Sequence, residues 1–496
     1  VRKVFSLQSA AFSPVFWLLT GLIAPKVVLA QGTVPEIELR PGLVITASVR
    51  VRPGVYRLPA PASLDSAAIT IRGSDLTVDF QYAQLLGTEP GADPDRGMGV
   101  AIRIEGGRNV QLTHAQVRGY KIGILARDVR GLTLSENVAS HNWKPRLYSL
   151  IEHESLVDWL SYHQNDKDEW YRYGAAIYLS GVRGGEVRGN TAVQGMNGLL
   201  MTRSDSLRVQ DNTFSFNSGL GIGLYRSSDN LIANNRLEFN VRGYSHGFYR
   251  RGQDSAALLL YEQSNRNVVA WNTATHGGDG LFLWAGQTTM DSGAGGANDN
   301  VFYANDFSWA PTNAMEATFS RNSFLANWAM GSEYGLWGGY SFESKVIGNC
   351  FGKNRFGIAI EHGQDNLIAA NRFDGDSLGI RLWGDSIQPS DWGYPKHRDT
   401  RSRDYQIEKN IFAGTRITVQ APNTTGIRLS ANDSLPAARS DCRIGVLPAE
   451  YAGLAPRLPG IPDRVPLSIL ARRDRSAMIV DEWGPFDWRS PKLWPL

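Results

Sequence analysis

One unit of sequence recurs along this chain and limits what it can fold into. Gly-Ile-Gly-Leu-Tyr (221–225) is followed by Ser-Ser-Asp-Asn-Leu-Ile-Ala-Asn-Asn-Arg-Leu, and Gly-Ile-Ala-Ile-Glu (357–361) by His-Gly-Gln-Asp-Asn-Leu-Ile-Ala-Ala-Asn-Arg-Phe. The clearest ruler is the Asn before x-apolar, at Asn190, Asn212, Asn235, Asn272, Asn305, Asn327, Asn349, Asn371, Asn410 and Asn432. Successive gaps of 22, 23, 37, 33, 22, 22, 22, 39 and 22 residues describe one 22-residue unit, with insertions in three gaps. A fixed period of this size means a stacked solenoid whose turns bury their apolar residues only against neighbouring turns.

Within a unit the apolar residues alternate over short runs (Ile222 and Leu224, Ile358 and Ile360, Ile380 and Leu382), which is strand periodicity. Gly, Asn, Asp and Ser bound each run and suit tight turns. The repeated Asn fits a ladder of one amide per coil, bonding backbone groups at a bend. Leucine-rich repeats have a similar period, but their L-x-x-L-x-L-x-x-N order is missing. The expectation is an all-β, single-stranded solenoid of short parallel strands.

On these repeats, and on the entry segment Val51-Arg-Pro-Gly-Val-Tyr-Arg-Leu58, the chain resembles a right-handed parallel β-helix of the pectate-lyase-like superfamily over roughly residues 35–435. The resemblance implies the fold and a secreted, carbohydrate-active setting; no specific enzyme family is matched. The N-T-D, G-H-G and R-I-K signatures of polygalacturonases are absent, as is the D-P-H signature of alginate epimerases, so no catalytic residue is carried over.

Arg2 and Lys3 precede an apolar run from Ala10 to Ala24 and then Val28-Leu-Ala30. Residues 1–30 therefore read as a secretory signal, with an uncleaved anchor as the rival, and the mature chain begins near Gln31. The run is too short for a comfortable membrane span. Losing residues 1–30 removes Arg2, Lys3 and Lys26 and no acid, so the formal charge falls from +3 to zero. A neutral solenoid lacks the basic field of a nucleic-acid binder. Cys350 and Cys442 are the only cysteines; they either pair in an oxidising compartment or stay as two buried thiols. Two Cys and scattered His give little support to a metal-handling role, and the expectation is no metal and no cofactor, with Ca²⁺ only for a lyase. The β-helix is expected over 31–436. It is broken at 141–173, where Leu147, Leu150, Ile151, Val157 and Leu160 have the spacing of a short helix with Glu152, Glu154 and Asp158 among them. Residues 437–496, rich in Pro, Arg and aromatics, read as a tail packed on the outside or the end of the stack.

In a G-φ-x-φ-x strand the x residues point out. Coil by coil this gives Tyr178 and Ser180, Leu200 and Thr202, Gly223 and Tyr225, Leu260 and Glu262, Phe282 and Trp284, Glu316 and Thr318, Trp337 and Gly339, Ala359 and Glu361, then Arg381 and Trp383. Aromatics alternate with carboxylates along this row. Flat rings give a sugar an apolar platform, so Tyr225, Trp284, Trp337 and Trp383, with Arg381, His276 and Arg250, are the candidate glycan contacts. The bland alternative is that insertions and tail bury the rings as core. Glu316 is the first candidate for a general acid, Glu361 or Glu262 for the base, and Asp279 and His362 are further candidates. The leading reading is a secreted or periplasmic glycoside hydrolase acting on a polysaccharide or oligosaccharide. The alternatives are a polysaccharide lyase or C5-epimerase acting on uronates through His362 or His276 with Arg381, and a non-catalytic carbohydrate-binding protein.

Overall fold

The computed structural model describes residues 34–89, 91–148, 155, 158, 165–243, 255–389, 391–437, 442–470 and 474–489. Pro35–Leu496 is one compact unit. The proposed signal, most of the helix expected within 141–173, and Arg250 lie outside the described residues.

Short strands wind into a parallel β-helix with three faces. One face is a 15-stranded sheet, a second is a 14-stranded sheet, and the third is made of 3-, 2- and 5-stranded pieces. Single bridges such as Val138↔Thr191, Arg236↔Thr273 and Thr273↔Asp306 continue the third face. Among the described residues, the one antiparallel pair is Val480–Asp481 with Gly484–Pro485, in the tail. Each strand pairs with the equivalent strand of the next coil, so inward residues form columns. Ile222, Leu258, Leu281, Met315, Leu336, Ile358 and Ile380 make one such column, register by register. Phe351, Phe373 and Phe412 stack in another, with ring centroids 5.1 and 4.8 Å apart. Each coil thus buries apolar surface on both neighbours.

The glycine near the start of several of these strands is there for close approach. A Cβ at Gly357 would sit 2.5 Å from Phe373 and 2.7 Å from the Gly379 carbonyl oxygen. The residue before this glycine faces outward: Phe356 and Leu378 pack with Ala359, Trp337 and Trp383 rather than in the central core.

The Asn ladder runs unbroken from Asn137 through Asn190 to Asn432. Every rung donates both its backbone N–H and its Nδ2 to Oδ1 of the next Asn, at 2.9–3.0 Å. Nδ2 also reaches a carbonyl of the preceding coil, as Asn327 does to Phe302 O at 2.9 Å. Asn137 is a rung the sequence ruler missed, because the insertion after it stretches the spacing to 53 residues.

Two features differ from the sequence reading. Leu260 and Glu262 do not point outward. The strand Ala256–Tyr261 pairs Leu259 with Phe282 and Tyr261 with Trp284, so Leu259 and Tyr261 form the outer row and Leu260 is core. Strand periodicity is two, so a slip of one residue exchanges the faces. Glu262 lies beyond the strand in a turn at φ 33°. The tail, second, runs back along the side of the stack. Cys442 is disulfide-bonded to Cys350; Pro462 and Arg464 carbonyls accept from Asn234; and Pro485 O accepts from Gln194. Among the described residues nothing covers the last coil, where Leu429 is 60% exposed.

Two stability predictions follow from the ladders. Asn327→Ala deprives the buried Asn305 N–H and Nδ2 of their acceptor and should cost about 2–4 kcal/mol in urea unfolding. In a parallel ladder, Ser332 N donates to Asn354 and Asn354 N donates to Asp376 Oδ1 at 2.8 Å. Asp376 is buried, its Oδ2 has no partner, and burial pushes its carboxyl up to about 7. A pKa raised above the unfolded value of about 3.9 makes a contribution that is full below that value and lost as pH rises through 7. Asp376→Asn should therefore raise stability by about 2 kcal/mol at pH 8 and change little at pH 4.

Candidate functional site

The outer row of the 14-stranded sheet is divided into a covered half and an open half. The covering comes from the last part of the 141–173 break. Glu169–Tyr173 is a short 3₁₀ helix that sets Trp170, fully buried, over Tyr225 and Tyr261 with ring centroids 5.6 and 6.0 Å away. Tyr225 is fully buried too, and its hydroxyl donates to Asp166 Oδ1 at 3.2 Å. Glu262 closes this end from the side. It is buried, accepts from Arg226 at 2.7 Å and from Thr288 Oγ1 at 2.6 Å, and serves as an ion-pair partner. For Tyr225 the bland reading is the correct one: the ring is core.

Beyond Trp284 the row opens. Glu316 pairs in register with Trp337, Trp337 with Ala359, and Ala359 with Arg381; Glu361 pairs with Trp383 two residues along. Glu316, Trp337, Glu361, Arg381 and Trp383 are all half-buried. Trp337 and Trp383 approach to 5.5 Å between ring centroids, tilted by 57°. Asp279, at the head of its strand, accepts from Asn313 N at 3.0 Å, and Asn313 Nδ2 donates to Glu316 Oε2 at 2.5 Å. Asp279 thus acts on Glu316 through Asn313. His276 lies elsewhere, buried between Phe239 and Trp309 at 4.5 and 6.5 Å, and does not face the groove.

The densest chemistry surrounds Glu361. Trp383 Nε1 donates to Glu361 Oε1 at 3.1 Å. Asp385, two residues beyond Trp383, brings a second carboxyl within hydrogen-bond reach. Burial first, and then Asp385, push the Glu361 carboxyl up to about 7, against the lowering effects of the Trp383 N–H and Arg381. The pair therefore holds a proton near neutral pH, as two adjacent carboxyls do when both cannot ionise. Asp385 is not among the candidates legible in the sequence. Asp385 stands in the turn just past a strand, where alternation assigns no face.

His362 supports this arrangement and is not available as a base. Its Nδ1 faces the Thr400 carbonyl at 2.5 Å, and its Nε2 faces the Asp385 amide at 3.1 Å. A carbonyl can only accept and an amide N–H can only donate, so Nδ1 carries the proton and the Nε2 lone pair is used. The ring also stacks on Tyr340 at 4.8 Å.

Residues 87–307 and 250–435 match the family model described as periplasmic copper-binding protein (NosD). No curated protein matches the chain. Among solved structures, the mannuronan C-5 epimerase AlgE4 A-module of Azotobacter vinelandii is similar with a TM-score of 0.41 and 11% identity, over 76% of this chain and 90% of that one. The periplasmic alginate epimerase AlgG gives 0.38 and 11%, over 81% and 77%. DFA-IIIase from Arthrobacter chlorophenolicus A6 gives 0.38 and 14%, over 70% and 83%. At these scores the likenesses carry no argument about chemistry.

The family description raises copper, and the described residues do not fit it. Copper favours imidazole, thiolate and thioether ligands. Both cysteines are in the disulfide. Among the described residues, Glu361, His362 and Asp385 bring ligand atoms within 4.8 Å of one another, but the imidazole Nε2 lone pair is taken by the Asp385 amide and the Glu361 carboxyl is pushed up to about 7. The two matched stretches together run over most of the coil stack, and the chain belongs to the NosD family.

Proposed function

We propose that this chain is a carbohydrate-active enzyme of the secreted or periplasmic space, a glycoside hydrolase that works in the open half of the groove. The observation that carries the reading is a carboxyl kept protonated to about pH 7 while hydrogen-bonded to the indole of Trp383, beside the second ring of Trp337. The rings offer a sugar its apolar platform, and Glu361 donates its proton to the leaving oxygen. The neighbouring Asp385 carboxyl makes ionisation of Glu361 costly, so the proton stays in place until a developing leaving-group oxyanion takes it. The disulfide supports a site of action outside the cytoplasm.

The second carboxylate is Glu316. It lies two strand steps and two residues from Glu361, about 12 Å between Cα atoms. Side chains leaning toward each other fit the separation of about 6.5–9.5 Å used for inversion better than the 5–5.5 Å used for retention. Glu316 would activate water, held in orientation by Asn313 and, behind it, Asp279. These roles reverse those expected from the sequence, because Glu361 rather than Glu316 has the carboxyl partner that keeps a proton in place. In the lyase or epimerase alternative His362 or His276 would have to take a proton; His362 Nε2 already accepts from the Asp385 amide, and His276 is buried against Phe239.

Two experiments test this reading. The Trp383 indole ¹H–¹⁵N signal should titrate with a midpoint near pH 7, lose that titration in Glu361→Gln, and move to lower pH in Asp385→Asn. A pH-independent Trp383 signal in the wild type would remove the basis for the assigned acid. In a glycan-panel digestion, Glu361→Gln should lose at least about 100-fold in rate and Glu316→Gln a similar amount. Asp385→Asn should shift the basic limb of the pH profile downward, because Glu361 then gives up its proton earlier. Equal products and rates from all variants would show that the acid and base are misassigned; binding without any cleavage would make this a binding protein.

A further inference from the structure

We infer that Arg381 forms an anion subsite in the groove and that the saccharide held there is acidic, presenting a carboxylate or a sulfate ester to the guanidinium. This rests on the glycan reading above and names the class of substrate. Arg381 is on the outer row, in the column of Glu316, Trp337 and Ala359. Its guanidinium lies over two rings, 4.7 Å from the Trp383 centroid and 5.5 Å from that of Phe356, beside Glu361.

What sets Arg381 apart is its lack of a counter-charge. Arg355, near the same edge, pairs with Glu333 at 2.6 Å, and Arg226 at the closed end pairs with Asp166 and Glu262, each at 2.7 Å. Among the described residues Arg381 makes no ion pair, and its Nε is buried without a hydrogen-bond partner. Its next neighbour in register is the neutral Gln420. Glu361, the carboxyl it acts on, has its pKa pushed up to about 7 and is not a full counter-charge near neutral pH. A neutral sugar seated across Trp383 would strip water from this cation and leave nothing in exchange, which is unfavourable. A two-oxygen anion matches the guanidinium fork. It would also cancel the lowering effect of Arg381 on Glu361, so that the acid keeps its proton better with substrate bound.

The test is affinity electrophoresis of the full chain through gels holding polyuronides beside their carboxyl-reduced counterparts, and sulfated polysaccharides beside their desulfated counterparts. The wild type should be retarded about tenfold more strongly by one acidic member than by its neutral counterpart, and added salt should collapse that difference. The family of pairs showing it tells carboxylate from sulfate. Arg381→Gln should bring the ratio to within about twofold with unchanged thermal unfolding, by weakening retardation by the acidic member while the neutral member, freed of the desolvation penalty, is retarded no less than before; Arg381→Lys should keep part of the ratio. Equal wild-type retardation within every pair overturns the anion subsite and leaves the glycan reading standing, as does a full ratio retained by Arg381→Gln. Absence of retardation by any polysaccharide overturns the glycan reading, and this inference with it.

Discussion

A buried column of amides governs this structure. Each Asn gives two hydrogens to the Asn of the next coil and a bond to a backbone carbonyl of the coil before, so the polar groups at the bend are satisfied without water. The column also fixes register. Because an Asn can meet only the Asn of the neighbouring coil, strands stack with equivalent residues aligned, and insertions of very different length loop out between rungs. Residues far apart in sequence, such as Glu316 and Arg381, therefore share a column.

The same regularity makes the site depend on what lies outside the coils. Every outer-row position has the same backbone environment, yet Tyr225 is core and Trp337 is groove. The difference is Trp170 with Asp166 at one end, and their absence at the other. The segment after Trp383 does something similar on a smaller scale. It carries Asp385 back to Glu361, and His362 fixes that return by holding the Asp385 amide and the Thr400 carbonyl at once. A single strand carboxyl becomes a pair that retains a proton.

That pair also bears on the family to which the chain belongs. Among the described residues both cysteines are held in a disulfide and His362 is hydrogen-bonded through both ring nitrogens, whereas a carboxyl bonded to the Trp383 indole stands open to the groove. The β-helix is a scaffold on which the outer row can be changed residue by residue while the ladder stays intact, so membership of the family fixes the coil and leaves the site to be read from its own side chains.

Much of this was legible without coordinates. The Asn spacing gave the coil length, strand stacking and ten of the ladder positions, since period and polarity are local properties that repetition amplifies. Strand alternation placed Glu316, Trp337, Glu361, Arg381 and Trp383 on one face, because their strands are regular. It failed at Glu262, where the strand stops one residue early and a period of two turns that into the opposite face. Which rings are covered, which carboxyl is protonated and which cation lacks a partner were decided by tertiary structure alone. Each depends on a loop or tail segment meeting a strand distant in sequence, and no repeat records where an insertion comes to rest.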